Sequence, residues 1–133
     1  MSVGTLRPDI VAACAPLVFD AVVCGQDKPF IGVLLWPSPA GMQAAAQAAG
    51  GDMAKAFGAV TAQVAEKLKA FNAVAGGSSR RVGRFRLLTT PPSLDTGEIT
   101  DKGYVNQRTA QDVRAAEVAS LFAAELAPGV VQV

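Results

Sequence analysis

Lys102 stands in the run Gly97-Glu98-Ile99-Thr100-Asp101-Lys102-Gly103-Tyr104-Val105-Asn106-Gln107-Arg108, the stretch whose residue types are best suited to chemistry. Two glycines bracket the lysine in a polar loop that leads straight into a basic helical start. Gly97 and Gly103 give this loop backbone conformations that other residues avoid. The lysine is an ammonium group on a long flexible stem, able to reach a group outside its own domain. Taken as an arbitrary Thr-Asp-Lys-Gly, the same run is a solvated lysine in a turn. The choice between the two depends on the whole string.

Other candidate chemistry is thin. The chain holds no histidine, which removes Ser–His and Cys–His catalysis, histidine acid–base work and histidine metal sites from these 133 residues. Cys14 and Cys24 sit in apolar stretches at a spacing that matches no zinc pattern, and they read as buried, inert thiols. Asp95, Glu98 and Asp101 cluster around Gly97 without metal-ligand spacing, so they read as turn residues and not as a calcium loop. Gly76-Gly77-Ser78-Ser79 lacks the Lys-Ser/Thr ending of a phosphate loop and reads as a connector. Arg80, Arg81, Arg84 and Arg86 form a basic strand with 80, 84 and 86 on one face and 81 on the other. Read by itself, that strand is a solvated sheet edge, where charge blocks unwanted pairing. Contact with a partner domain is another use for it.

Composition narrows the partners. A net charge of +1 exerts no general pull on nucleic acid or anionic membrane, and no apolar run approaches the length of a bilayer span. Met1 is followed by no basic-then-apolar signal segment, which points to a cytoplasmic protein. Half of the residues are hydrophobic but only 6% are aromatic, so alanine-rich helices packed closely are expected over a thick aromatic core. A chain of this length forms one domain.

The string from Gly97 to Arg108 resembles the C-terminal signature of the adenylate-forming acyl-CoA ligases, in the variant of the feruloyl-CoA synthetases. SVGTLRPDIVAACAPLVFDAVVCGQDKPFIGVLLWP is similar to the segment that follows the hinge in those enzymes. RRVGRFRLLTTPPSLDTGEITDKGYVNQR resembles their final strand and catalytic loop, and residues 38–79 add almost no family-specific signal. The more widespread ligases carry Thr-Gly-Lys where this chain has Thr100-Asp101-Lys102, a departure that points to the aryl-acid branch.

The resemblance implies a mobile C-terminal domain, residues 1–133 with 128–133 as a short tail, and Met1 just beyond the hinge. Lys102 is then the catalytic lysine of adenylation, with Gly97, Thr100 and Gly103 supporting its loop. Gly4, Thr5, Arg80 and Arg84 are the positions assigned to CoA. ATP, CoA and magnesium belong to the full-length enzyme, and the principal partner is an N-terminal adenylation domain holding the nucleotide and acid pockets. The isolated chain is expected to be inactive and to self-associate weakly through its docking face. A fatty-acyl-CoA ligase with the same domain, and a free-standing binding or regulatory module, are the rival functions.

The elements that must position the lysine follow from pattern. Thr5 reads as the cap of a first helix with Pro8 in its first turn and an end near Pro16. Leu17–Cys24 and Phe30–Trp36 are two apolar runs joined by Gly25-Gln26-Asp27-Lys28-Pro29, a β-hairpin too hydrophobic to be wetted on either face. After Pro37 and Pro39 an alanine-rich helix runs to about Ala49. Asp52 caps the longest helix, on which Met53, Phe57, Val60, Val64, Leu68, Phe71 and Ala75 make one stripe. A strand lies within Arg80–Thr89 and ends at Pro91-Pro92. Asn106 caps a single final helix to about Leu126. The expected fold is a small α+β domain, a β-hairpin or three-stranded sheet packed by helices.

Overall fold

The computed structural model describes residues 3–15, 17–25, 30–74, 81–88, 92–103, 105–125 and 129–133, with residues 3–5 described by backbone alone. The two apolar runs form β1 (Val18–Cys24) and β2 (Ile31–Pro37), paired antiparallel with Val22 opposite Leu34. The chain then crosses through α2 (Pro39–Ala48) and α3 (Met53–Val74) to β3 (Val82–Leu87), which runs parallel to β2. The last strand, β4 (Val130–Gln132), pairs antiparallel with β3. The result is a four-stranded mixed sheet in the order β1-β2-β3-β4.

Both faces of this sheet are covered, as the apolar residues of its first two strands demand, and Asp20, the one acid in those strands, is buried against Arg7. Val23, Val33, Leu35 and Phe85 face one cluster with Leu6 and Ile10 of α1 (Val3–Cys14) and Val60, Val64 and Leu68 of α3. Val22, Leu34 and Trp36 face the other, with Val105, Ala110 and Leu121. That second side is roofed by α4 (Gln107–Val113) over β1 and α5 (Ala115–Leu121) over β2 and β3.

Local chemistry explains most element ends. Ser38 caps α2 by accepting from the Gly41 amide, and Pro39 opens that helix where its missing N–H costs nothing. The Asp52 carboxylate accepts from the Ala54 and Lys55 amides at the start of α3. The α3 stripe is buried at Val60, Val64 and Leu68, half-buried at Phe57 and Phe71, and exposed at Met53; Ala75 lies outside the described residues. Asn72 grips both backbone groups of Val82, at 2.8 Å each, and so fastens α3 to the start of β3.

Four expectations need correction. The first helix starts at Val3, so Thr5 lies within it instead of capping it; Pro8 is internal and leaves the Gly4 carbonyl without an intrahelical donor. Residues 130–132 are not a tail but a strand, because β3 offers them an unpaired edge. The basic strand is consequently not a sheet edge, since β3 lies between β2 and β4. The single final helix is two helices that meet at Arg114, whose backbone leaves helical geometry at φ −100° and ψ 31°.

The thiols behave as the sequence suggested. Cys14 and Cys24 are both free and buried. Burial in apolar surroundings pushes Cys14 up to about 11, with Lys67 pulling slightly the other way, and pushes Cys24 up to about 12.

Candidate functional site: a lysine on a braced hairpin

Residues 98–106 double back on themselves. Ile99 and Val105 make an isolated antiparallel bridge, and the Asn106 amide donates to the Glu98 carbonyl at 2.7 Å. Inside that bridge the Gly103 amide donates to the Thr100 carbonyl at 2.9 Å, closing a four-residue turn around Asp101 and Lys102. Gly103 has φ +86° with open space around its Cα, so it is the backbone conformation and not crowding that calls for glycine. Gly97, at φ +81°, makes the same demand where the chain enters the hairpin. Thr100, Asp101 and Lys102 are exposed at the tip. Among the described residues no carboxylate pairs with the Lys102 ammonium.

The base of the hairpin is unlike its tip. Glu98 is fully buried, and its carboxylate takes the Arg114 guanidinium on both oxygens, at 2.8 Å from Nε and 3.2 Å from Nη2. The same Oε1 accepts from the Ser93 amide at 3.0 Å, closing the turn that precedes the hairpin. Arg114 also lies over the indole of Trp36, 5.8 Å from its centroid, which ties the pair to β2. Glu98 had read as one of several turn carboxylates. Its burial and its partner sixteen residues away were invisible because no local pattern links the two positions. The one available signal was its place before Ile99, where an apolar neighbour marks a chain turning inward.

On the other side of the hairpin, Asn106 caps α4 by accepting from the Thr109 amide. Two glutamines then fasten α4 to the free edge of β1. Gln107 accepts from the Val23 amide at 3.0 Å and donates to the Ala21 carbonyl at 2.8 Å, and Gln111 donates to the Val23 carbonyl at 3.2 Å. These side chains take the place of a neighbouring strand, satisfying backbone groups that an edge leaves open.

The remaining sequence candidates lie apart. Gly4 and Thr5 are in the first turns of α1, with the Thr5 side chain outside the described residues. Arg80 and the Gly76–Ser79 connector also fall outside them. Arg84 donates to the Leu121 and Ala123 carbonyls at 3.1 and 2.7 Å and covers the Phe30 ring at 5.0 Å, so its guanidinium holds the end of α5. Arg86 donates to the Ser120 hydroxyl. Among the described residues no three His, Cys, Asp or Glu side chains gather to hold a metal ion. None of the helices described is long and apolar enough to cross a membrane.

The fold and the site thus define a small α+β module that presents one lysine on a hairpin braced from within. The chain belongs to the family of AMP-binding enzyme C-terminal domains, whose model matches residues 7–126. Its fold is similar to part of the A-PCP didomain of carboxylic acid reductase from Segniliparus rugosus in complex with AMP. That likeness has a TM-score of 0.59 at 15% identity and covers 92% of this chain and 16% of that one. The adenylation domain of a carboxylate reductase from Mycobacterium chelonae matches with a TM-score of 0.59, again at 15% identity, covering 92% of this chain and 18% of that one. The A domain of the Segniliparus rugosus enzyme, in complex with AMP and a co-purified carboxylic acid, gives 0.60 at the same identity and coverage. The chain therefore spans less than a fifth of the length of these proteins. No curated protein matches it.

Proposed function

We propose that this domain supplies the adenylation lysine to an ATP-dependent, AMP-forming acid–CoA ligase of the aryl-acid, feruloyl type. The observation that carries the proposal is Lys102, exposed at the tip of a hairpin whose base is locked into the core. Adenylation joins a carboxylate to the α-phosphorus of ATP, so negative charge crowds together during in-line attack. An ammonium inserted between the carboxylate and the phosphate offsets that repulsion and orients the nucleophile. A compact cation on a flexible stem, delivered by a rigid mount, suits that task.

The nucleotide, acid and magnesium sites are assigned to an N-terminal adenylation domain, because this chain assembles neither a phosphate loop nor, among its described residues, a carboxylate cluster. In the ligases that the sequence resembles, the C-terminal domain rotates after adenylation and helps line the pantetheine tunnel. Gly4, Thr5 and Arg80 are carried as the CoA-side positions on that basis. Arg84 is the least suited of the four, since CoA would compete with two carbonyls for its guanidinium. The aryl acid and the CoA acceptor both rest on the Gly97–Arg108 string. A likeness to reductase domains at 15% identity carries the fold and not the acceptor.

The test uses the full-length enzyme. Lys102→Ala should slow pyrophosphate release by about a hundred- to a thousandfold, the loss of about 2.7–4 kcal/mol that follows removal of one preorganised electrostatic donor. CoA thioester formation from a supplied acyl-adenylate should survive. Unchanged adenylation would remove Lys102 from the reaction, and equal loss in both steps would make it a binding or folding residue. The pure chain, given ATP, CoA, magnesium and ferulate, should release no AMP above a blank.

A further inference from the structure

We propose that Glu98 and Arg114 are positioning residues for the lysine, acting as a lock that fixes where the hairpin tip points relative to the sheet. The inference rests on the role proposed for Lys102 and extends it to residues that touch neither nucleotide nor acid.

Within the described residues, Glu98 makes three of the hydrogen-bonded connections at the base of the hairpin, and the Ile99 amide adds a fourth by donating to the Ser93 carbonyl at 3.3 Å. The Glu98 carboxylate holds Arg114 on both oxygens and the Ser93 amide on one, while the Glu98 backbone carbonyl holds the Asn106 amide. Arg114 carries the connection onward in two directions. Its backbone stands at the joint between α4 and α5, and its guanidinium covers Trp36 in the sheet. Beyond the Ile99–Val105 bridge, the turn is held by the Gly103–Thr100 hydrogen bond. The tip therefore inherits its direction from the base, four residues before the lysine.

A bidentate guanidinium–carboxylate pair is a planar fork that resists both rotation and sliding. It also resists solvent here, since the Glu98 and Arg114 side chains are 1% and 10% exposed. Electrostatic help at a reacting phosphorus depends steeply on placement: an error of about 1 Å can cost on the order of a hundredfold in rate. A lysine mounted on a long stem needs such a mount more than a short side chain does. Loosening the fork should therefore weaken adenylation without touching any substrate-binding group.

The experiment compares Glu98→Gln, Arg114→Lys, Lys102→Ala and the Glu98→Gln/Lys102→Ala double variant in the full-length enzyme. Glu98→Gln keeps the shape and loses the charge, while Arg114→Lys keeps the charge and loses the fork. Each should lower kcat for pyrophosphate release by about ten- to a hundredfold. The KM values for ATP and acid, and thioester formation from a supplied acyl-adenylate, should stay within about twofold of the parent. In the double variant Glu98→Gln should add almost nothing to the loss from Lys102→Ala, because both act through the same ammonium.

Multiplied effects in the double variant, or equal losses in both half-reactions, would overturn the proposal and make the pair a stability element. Should Glu98→Gln fail to fold, Arg114→Lys carries the same comparison with its own Lys102→Ala double variant; failure of both to fold would also overturn it. If Lys102→Ala is damaging and the fork variants are not, only the lock is wrong. If Lys102→Ala is harmless, the adenylation role itself has failed.

Discussion

Replacing Glu98 by alanine removes one half of a buried ion pair and leaves the other half in place. Arg114 then keeps a guanidinium that is 10% exposed, with the Trp36 ring on one side and no carboxylate where Glu98 was. Breaking a pair of this kind from one side costs about 3–5 kcal/mol. Against a total stability on the order of 5–15 kcal/mol for a domain, that is a severe loss. With a urea slope of about 1.5 kcal/mol/M, the unfolding midpoint should fall by roughly 2–3 M. Arg114→Met should cost a similar amount, because it strips the guanidinium from a buried carboxylate that keeps the Ser93 amide as a donor.

The two losses should not add. Glu98→Ala combined with Arg114→Met removes both charges, leaving an orphaned Ser93 amide at about 1–3 kcal/mol and a lost cation–π contact at about 1 kcal/mol. The double variant is then expected near 2–4 kcal/mol, well short of the sum of its parts. Equilibrium urea unfolding of the four proteins, with fitted slopes checked for constancy, measures the difference. A double variant that costs the full sum, or a Glu98→Ala loss below about 1 kcal/mol, would refute the argument that this charge pair holds the hairpin base.

Further outcomes follow from three single features. The buried thiols should resist iodoacetamide in the native chain at pH 8 and react fully once it is unfolded in urea. They also make stability fall with pH: a thiol held protonated in the fold contributes fully below the unfolded value of 9.0. That contribution is lost at about 1.4 kcal/mol per pH unit per thiol on rising toward about 11 for Cys14 and about 12 for Cys24, which urea titrations at pH 8 to 10.5 would register. Gly83→Ala should destabilise by about 1–3 kcal/mol, because its new Cβ would sit 2.8–2.9 Å from Cδ2, Cβ and Cγ of Phe30 and push that ring off Phe122 and Arg84. An unchanged melting temperature would mean Phe30 moves freely. Gln107→Ala should open the edge of β1, and light scattering should show association rising with concentration where the parent shows less. Identical scattering would mean the edge needs no cover.

Much of this architecture was legible because local chemistry dictates it. The hairpin follows from two continuous apolar runs around a polar break, and α3 from a stripe of period 3.6 behind the Asp52 cap. Asn106 at the start of α4 needed nothing but its own side chain. What escaped depends on partners far away in sequence. Val130, Val131 and Gln132 are too few for a period and become a strand only because β3 offers them an edge. The joint at Arg114 has no glycine or proline to announce it; it lies where the chain passes from covering β1 to covering β2 and β3. Lys102 could be singled out from its neighbours in the chain, but the fork beneath it could not, since Glu98 and Arg114 are joined only by the fold.

The parallel pairing of β2 with β3 bears on how the domain is made on the ribosome. β1 and β2 follow α1 as a hairpin apolar on both sides, yet no strand besides β1 can join β2 until α2 and α3 have followed. The side of the sheet bearing Val22, Leu34 and Trp36 waits longer still, until residues as far as Leu121 have left the exit tunnel. Throughout that interval the nascent chain carries a hairpin with one apolar face uncovered, the kind of species on which chaperones act and from which aggregates grow. Chains released early, before α4 and α5 are complete, should therefore accumulate as insoluble protein instead of as smaller folded domains.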